Sequence, residues 1–93
     1  RWRYQYLYYM KLPIIKHLVQ HEGFDEDYFE ETIEVLLAVA DARGVTDEEI
    51  EVIGEMLSNL EGAIEVKKSI KEGTNQKEAL NSFMKRVLSS IDN

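Results

Sequence analysis

The clearest pattern of apolar and polar positions runs from Thr46 to Gly73 and predicts one long helix. Thr46 and Glu49 have the spacing of a capping box, in which each side chain accepts a hydrogen bond from the other residue's amide. Gly73 is a typical C-terminal stop. Apolar residues recur there at alternating spacings of three and four, as in a coiled-coil seam. The seam consists of Ile50, Ile53, Leu57, Leu60 and Ile64, and a second row, Val52, Met56, Ala63, Val66 and Ile70, lies beside it.

Three small residues, Gly54, Ser58 and Gly62, are spaced four apart and share one face of this helix. A glycine inside a helix costs about 1 kcal/mol relative to alanine, so two of them need an explanation. We expect another helix to cross closely over this face, because a backbone approaches most closely where side chains are missing. The alternative is a break in the helix near Gly62.

Two shorter helices are predicted nearer the ends of the chain, at residues 13–22 and 75–91. Pro13 suits the first position of the earlier helix, and Gly23 ends it. Thr74 is the predicted N-cap of the later helix, whose apolar residues form one broad face. These residues are Ala79, Leu80, Phe83, Met84, Val87, Leu88 and Ile91.

Residues 25–43 predict a further helix, with Asp25 or Asp27 as N-cap and Gly44 as stop. Its apolar stripe is Phe29, Ile33, Leu36 and Ala40, and Val35, Leu37 and Val39 broaden that stripe. The stretch from Leu36 to Ala40 is almost unbroken apolar sequence. We therefore expect this helix to be buried on more than one side.

Short turns between amphipathic helices predict an all-α bundle of three main helices plus a short N-terminal helix. Residues 10–93 are expected to form a single helical domain, preceded by an aromatic extension at residues 1–9. The apolar faces are broader than a small monomer can bury, so we expect an intertwined, two-fold homodimer. The predicted interface residues are Ile50, Ile53, Gly54, Leu57, Ser58, Leu60, Gly62, Phe83 and Val87.

Residues 1–9, RWRYQYLYY, alternate aromatic with other side chains, a period of two that is typical of a strand. We interpret them as an upstream extension of a domain that starts at Met10. Their aromatic rings, together with Arg1 and Arg3, also suit stacking on the bases of a single-stranded nucleic acid, which is an alternative function. The four alternating rings are Trp2, Tyr4, Tyr6 and Tyr8.

The net charge of −7 is unevenly distributed. Residues 22–61 carry fourteen acidic side chains and one basic side chain, Arg43, whereas residues 1–21 carry four basic and no acidic ones. Such an acidic belt argues against duplex DNA or an anionic membrane as a partner.

No apolar run approaches the roughly 18 residues that a membrane span needs. The absence of cysteine fits a cytoplasmic location.

His17 and His21 lie four apart on the first predicted helix and are weak candidates for metal ligands. They suggest a second alternative function, a metal- or small-ligand-binding regulator. A zinc site needs three or four ligands, and the chain has no third histidine and no cysteine. The sequence also lacks Glu-x-x-His pairs and a glycine-rich phosphate loop. We therefore expect no enzymatic activity and no cofactor.

Two stretches carry a resemblance to known proteins. Residues 52–60, VIGEMLSNL, followed by residues 79–90, ALNSFMKRVLSS, resemble the signature stretches of the YejL-like family of small bacterial proteins. That resemblance implies an intertwined all-helical homodimer and no particular activity. The chain departs from the family in the longer connection at residues 61–73 and in the aromatic N-terminus. The chain from Met10 onward also resembles a family of unknown function in Bacteroidetes.

The sequence therefore predicts a non-enzymatic helical homodimer that acts as a protein-interaction or adaptor module. This hypothesis rests on broad apolar helix faces that come without any constellation of catalytic residues. Its expected partners are a second copy of the chain and a further protein of unknown identity.

Overall fold

A computed structural model describes residues 10–92, with side chains described as far as Val87. It is all-helical, with four helices and no strand among the described residues. They are α1 (Leu12–Gln20), α2 (Glu26–Ala40), α3 (Asp47–Lys71) and α4 (Gln76–Asp92). The predicted all-α class and the division into one short and three longer helices are confirmed.

Helix α3 runs without a break through Gly62 for 25 residues. Its capping box is formed as predicted: the Glu49 amide donates to the Thr46 hydroxyl (3.2 Å), and the Thr46 amide donates to the Glu49 carboxylate (2.9 Å). At the other end Gly73 has a φ of +111°, which a glycine adopts without strain. The alternative of a helix break near Gly62 is therefore wrong.

The predicted N-cap of α4 is also wrong, because Asn75 and not Thr74 fills that role. The Asn75 side-chain oxygen accepts a hydrogen bond from the Glu78 amide at 2.9 Å. The Thr74 amide instead donates to the Ser69 carbonyl, and the Gly73 amide donates to the Ile70 carbonyl. These two bonds are the Schellman motif that ends α3, so Thr74 belongs to the end of one helix and Asn75 to the start of the next.

Helix α2 has the predicted N-cap at Asp25, whose carboxylate accepts from the Tyr28 amide at 3.0 Å. The helix ends at Ala40, three residues earlier than expected. Asp41 is the C-cap, and the chain turns through Gly44 with a φ of +87°. Helix α1 starts at Leu12, one residue before the predicted start, and ends at Gln20, two residues before the predicted end. Pro13 lies in its first turn.

Helix α3 is the axis of the fold, because each of the other helices packs against it. Helices α1 and α4 also touch each other, whereas α2 approaches neither of them among the described residues. The buried core lies mainly on the second half of α3. Its members are Ile15, Val19, Phe29, Leu60, Ala63, Ile64, Val66, Ala79, Leu80, Phe83 and Val87.

Gly62 lies where α1 and α4 meet α3. A Cβ atom at this position would lie 2.7 Å from Cδ1 of Ile15 and 3.1 Å from Cζ of Phe83. Both of those side chains are buried. The close crossing predicted over the small-residue face therefore exists at Gly62, and it is made by two helices of the same chain.

Candidate self-association surface

One side of α2 remains uncovered, because α2 packs on α3 alone. Its only buried residue is Phe29. On its other side, Val35 and Val39 are 63% and 44% exposed, and Tyr28 is 56% exposed with its ring 5.4 Å from that of Phe24. The expectation that α2 is buried on more than one side is therefore wrong within a single chain: α1 and α4 lie on α3 and do not reach α2.

The exposed side of α2 has the spacing of a coiled-coil seam. Tyr28, Thr32, Val35 and Val39 are separated by four, three and four residues, and all four are exposed. We call these four residues the α2 seam. The Thr32 hydroxyl already donates to the Tyr28 carbonyl at 2.8 Å, so covering it leaves no unpaired hydroxyl donor. A seam of this spacing is typical of a helix that packs along another helix.

The first half of α3 extends the apolar surface beside the seam. Val52 and Met56 are 50% and 48% exposed. Between α2 and α3 lies a cavity of about 360 Å³, lined by Val39, Val45, Glu48, Glu49, Val52 and Ile53. Its lining is mostly apolar, and its two carboxylates belong to the first turn of α3. The groove suits an apolar side chain from a packing partner.

The surroundings of this surface are acidic. The described side chains form two ion pairs, Lys11 with Glu55 and Arg86 with Glu65, and neither includes an acidic residue of α2. In the capping box, hydrogen bonds from Thr46 hold the pKa of Glu49 below its ordinary value. Desolvation raises the pKa of Glu61, farther along α3. Neither shift points to acid–base chemistry, because each has a local structural cause.

Most residues of the predicted dimer interface are buried within the chain itself. The buried ones are Ile53, Leu57, Ser58, Leu60, Gly62, Phe83 and Val87. Ile50 is 44% exposed, and Gly54 is half-buried, with open space where a Cβ atom would lie. Within one chain, only Ile50 and Gly54 therefore present substantial surface to a second copy. The predicted interface as a whole stays a prediction.

The α2 seam is the feature that the sequence reasoning missed. In the sequence pattern, Val35 and Val39 broaden the buried stripe of Phe29, Ile33, Leu36 and Ala40. The four-three-four spacing from Tyr28 to Val39, however, lies on a different side of the helix from that stripe. Two stripes on one helix predict two separate packing partners, and this spacing is the signal that could have found the seam.

His17 and His21 are both exposed on or beside α1. The His21 ring stacks on Phe24 with a centroid separation of 4.0 Å, and its Nδ1 atom accepts a hydrogen bond from the Gly23 amide at 3.2 Å. This nitrogen helps to shape the turn after α1. In the part of the chain that the structure describes, no group of three or more His, Cys, Asp or Glu side chains is placed to hold a metal ion.

The aromatic extension at residues 1–9, with its predicted strand character and nucleic-acid binding, lies outside the described residues. Within residues 10–92, no helix is both long enough and apolar enough to cross a membrane.

Residues 10–92 match DUF6952, a family of unknown function. No curated protein and no solved structure matches the chain. The resemblance to YejL-like proteins and the Bacteroidetes assignment stay predictions. The match covers all four helices, and the chain belongs to the DUF6952 family.

Proposed function

We propose that this chain is a non-enzymatic protein-interaction module that assembles as a homodimer through the α2 seam. The observation that carries the proposal is the apolar, heptad-spaced side of α2, which no other described element of the chain covers. A second copy offers the same seam, and a two-fold contact covers both seams with a single interface.

The exposed apolar surface is large enough to matter for association. Tyr28, Val35, Val39, Val52 and Met56 are each about half exposed. Complete burial of such a side chain contributes about 1.5–3 kcal/mol, so covering the exposed half contributes about 1 kcal/mol each. Two subunits together gain about 10 kcal/mol, against an association cost of about 4–15 kcal/mol. At the lower end of that cost the net gain is about 6 kcal/mol, which corresponds to a Kd of roughly 40 μM, so we expect a weak dimer that forms at high micromolar concentration and dissociates on dilution.

The test is the solution mass by light scattering, measured from nanomolar to high micromolar protein. We expect the unmodified chain to be a dimer at the upper end of this range. Val35→Glu should shift the mass to that of a monomer, because it places a charge in the centre of an apolar contact. An unmodified chain that stays monomeric throughout would refute the proposal.

Leu37→Glu is the matched control. Leu37 lies on the same helix and is 52% exposed, but it lies outside the seam. We expect Leu37→Glu to remain a dimer. Ile50→Glu tests the interface predicted from the sequence in the same way. If Leu37→Glu and Ile50→Glu dissociate the dimer and Val35→Glu does not, the contact uses the other side of α2 and α3.

The adaptor part of the proposal concerns the acidic belt of residues 22–61. The stretch from Glu22 to Glu61 has a net charge of −13, fourteen acidic residues against one basic. A partner protein with a basic surface suits such a belt, and its binding should weaken as salt is added.

A further inference from the structure

We propose that the groove between α2 and the first half of α3 binds a short, basic amphipathic helix of a partner protein. This inference rests on the adaptor part of the proposed function and specifies where the partner binds. It does not require the homodimer. The groove, which we call the α2–α3 groove, is lined by Val39, Val45, Glu48, Glu49, Val52 and Ile53.

The apolar surface of the α2–α3 groove comes from both helices. Ile53 is buried, whereas Val39 and Val52 line the groove and are 44% and 50% exposed. Met56 follows Val52 by one turn of α3, and Val35 precedes Val39 by one turn of α2; both are about half exposed or more. Exposed apolar side chains on two neighbouring helices form the kind of surface on which the apolar face of a third helix docks.

The groove is long enough for about two turns of a bound helix. The eight residue steps from Glu48 to Met56 extend about 12 Å along α3, at 1.5 Å per residue. A helix bound along that length presents apolar side chains at positions i, i+3 or i+4, and i+7. The partner segment therefore needs about three apolar residues on one face.

The charge at the start of α3 favours a basic partner. Between Asp41 and Glu49 the chain has four acidic residues and one basic residue, Arg43. Neither of the two ion pairs among the described side chains includes any of these residues. The three carboxylates in the first turn of α3 outweigh the positive half charge of the helix N-terminus. This end of the groove therefore attracts lysine and arginine and repels phosphate groups and acidic helices.

The negative charge is concentrated at this one end. The hydrogen bonds from Thr46 hold the pKa of Glu49 below its ordinary value, so this carboxylate is charged at neutral pH. Farther along α3, the Lys11 ammonium pairs with the Glu55 carboxylate at 2.8 Å and offsets its charge. We therefore expect the basic residues of the bound helix to lie beside the first turn of α3.

Val39 belongs both to the α2 seam and to the α2–α3 groove, so a second copy and the partner helix compete for it. The homodimer expected from the exposed apolar surface is weak and dissociates at low micromolar protein concentration. At that concentration the groove is accessible, and binding of a helix is measured without interference from self-association.

The test is fluorescence anisotropy of labelled synthetic peptides with the full chain at low micromolar concentration. The probe is a helix of about 14 residues built from leucine and lysine, with leucine on one face, because much shorter peptides form little helix in water. One comparison peptide replaces lysine by glutamate, and another replaces leucine by alanine. We expect one leucine–lysine peptide to bind per chain, about tenfold more tightly than either comparison peptide.

Equal binding of the leucine–lysine and alanine–lysine peptides would overturn the inference, because only a general attraction to the acidic belt would remain. That result keeps the adaptor part of the proposed function. If neither basic peptide binds, the inference and the adaptor part both fail.

Two variants of equal charge locate the binding site, after far-UV circular dichroism has shown that both are folded. Val52→Glu places a carboxylate in the groove and should weaken binding of the leucine–lysine peptide about tenfold. Leu37→Glu adds the same charge on α2 outside the groove, at a residue that is 52% exposed, and should change the affinity by less than about twofold. Equal losses in the two variants would overturn the assignment.

Amide chemical shifts of the ¹⁵N-labelled unmodified chain supply a readout that needs no variant. Addition of the leucine–lysine peptide should shift the signals of Val39, Val45 and Val52. If these signals shift only as the protein concentration rises, and not with the peptide, a second copy covers the groove and the inference is overturned.

Discussion

The two glycines within α3 provide a sharp test of how the chain packs. Replacing a glycine inside a helix by alanine stabilises the helix by about 1 kcal/mol, provided that the added methyl group has space. At Gly54 no described atom outside the helix's own neighbouring backbone lies within 4 Å of the new Cβ, so Gly54→Ala should raise the free energy of unfolding by about that amount. For a chain of this length, 1 kcal/mol corresponds to a rise in Tm of about 4–8 °C.

At Gly62 the same substitution meets a packed core. The new methyl group would lie 2.7 Å from Cδ1 of Ile15, which is fully buried, and 3.1 Å from Cζ of Phe83. Overpacking of a core costs about 1–3 kcal/mol, which equals or exceeds the gain in helix propensity. We therefore expect Gly62→Ala to be between neutral and about 2 kcal/mol less stable than the unmodified chain.

The assay is urea unfolding followed by far-UV circular dichroism, at several protein concentrations so that self-association is separated from folding. Ile15→Val removes the Cδ1 atom and alone should cost about 0.5–1.5 kcal/mol. In the Gly62→Ala background its cost should be smaller or reversed, because it makes room for the new methyl group. The reasoning is refuted if Gly62→Ala stabilises the chain as much as Gly54→Ala does.

Three further predictions concern single hydrogen bonds and charges. Thr46→Ala should lower the free energy of unfolding by about 0.5–2 kcal/mol in urea melts, because it removes the N-cap of α3; an unchanged midpoint would contradict the capping box. Glu61→Gln should stabilise the chain at pH 7. The raised pKa of Glu61 means that the folded state favours the protonated carboxyl, so the free energy of unfolding falls as the pH rises through the folded-state pKa and the carboxyl ionises. The difference in the free energy of unfolding between Glu61→Gln and the unmodified chain should disappear in urea melts below the ordinary glutamate pKa of 4.5. A difference that stays constant with pH would refute this prediction. Asn59→Ala should cost about 1–3 kcal/mol and speed hydrogen exchange at the Lys11 amide, which donates to the Asn59 side chain at 2.8 Å; unchanged exchange at Lys11 would count against that role.

Local signals in the sequence predict the helices well, because their causes are local. The capping box of Thr46 and Glu49, the cap at Asp25 and the stop at Gly73 each depend on residues within one turn. The error at the N-cap of α4 has the same kind of origin, since Thr74 and Asn75 are adjacent and both suit a cap. Only the Schellman bonds at the end of α3 decide between them.

Contacts between helices are predictable only in part. The glycine-and-serine face of α3 predicts a close crossing, and Gly62 shows one. The spacing of Gly54, Ser58 and Gly62 does not reveal whether the crossing helix belongs to the same chain. That question depends on the path of α1 and α4, which is set by contacts between residues far apart in sequence, such as Ile15 and Phe83 with Gly62.

The position of α2 connects the fold to the proposed function. Among the helices only α3 packs against it, the Phe24 ring contacts Tyr28 and Phe29 at its start, and only one of its fifteen residues, Phe29, is buried. Helices gain most of their stability in proteins from the packing of an apolar face, so a helix with one partner and a second apolar stripe facing water is only partly stabilised. A second copy that covers the α2 seam supplies the missing contacts. Self-association through α2, as proposed, would therefore stabilise the helix as well as join two chains.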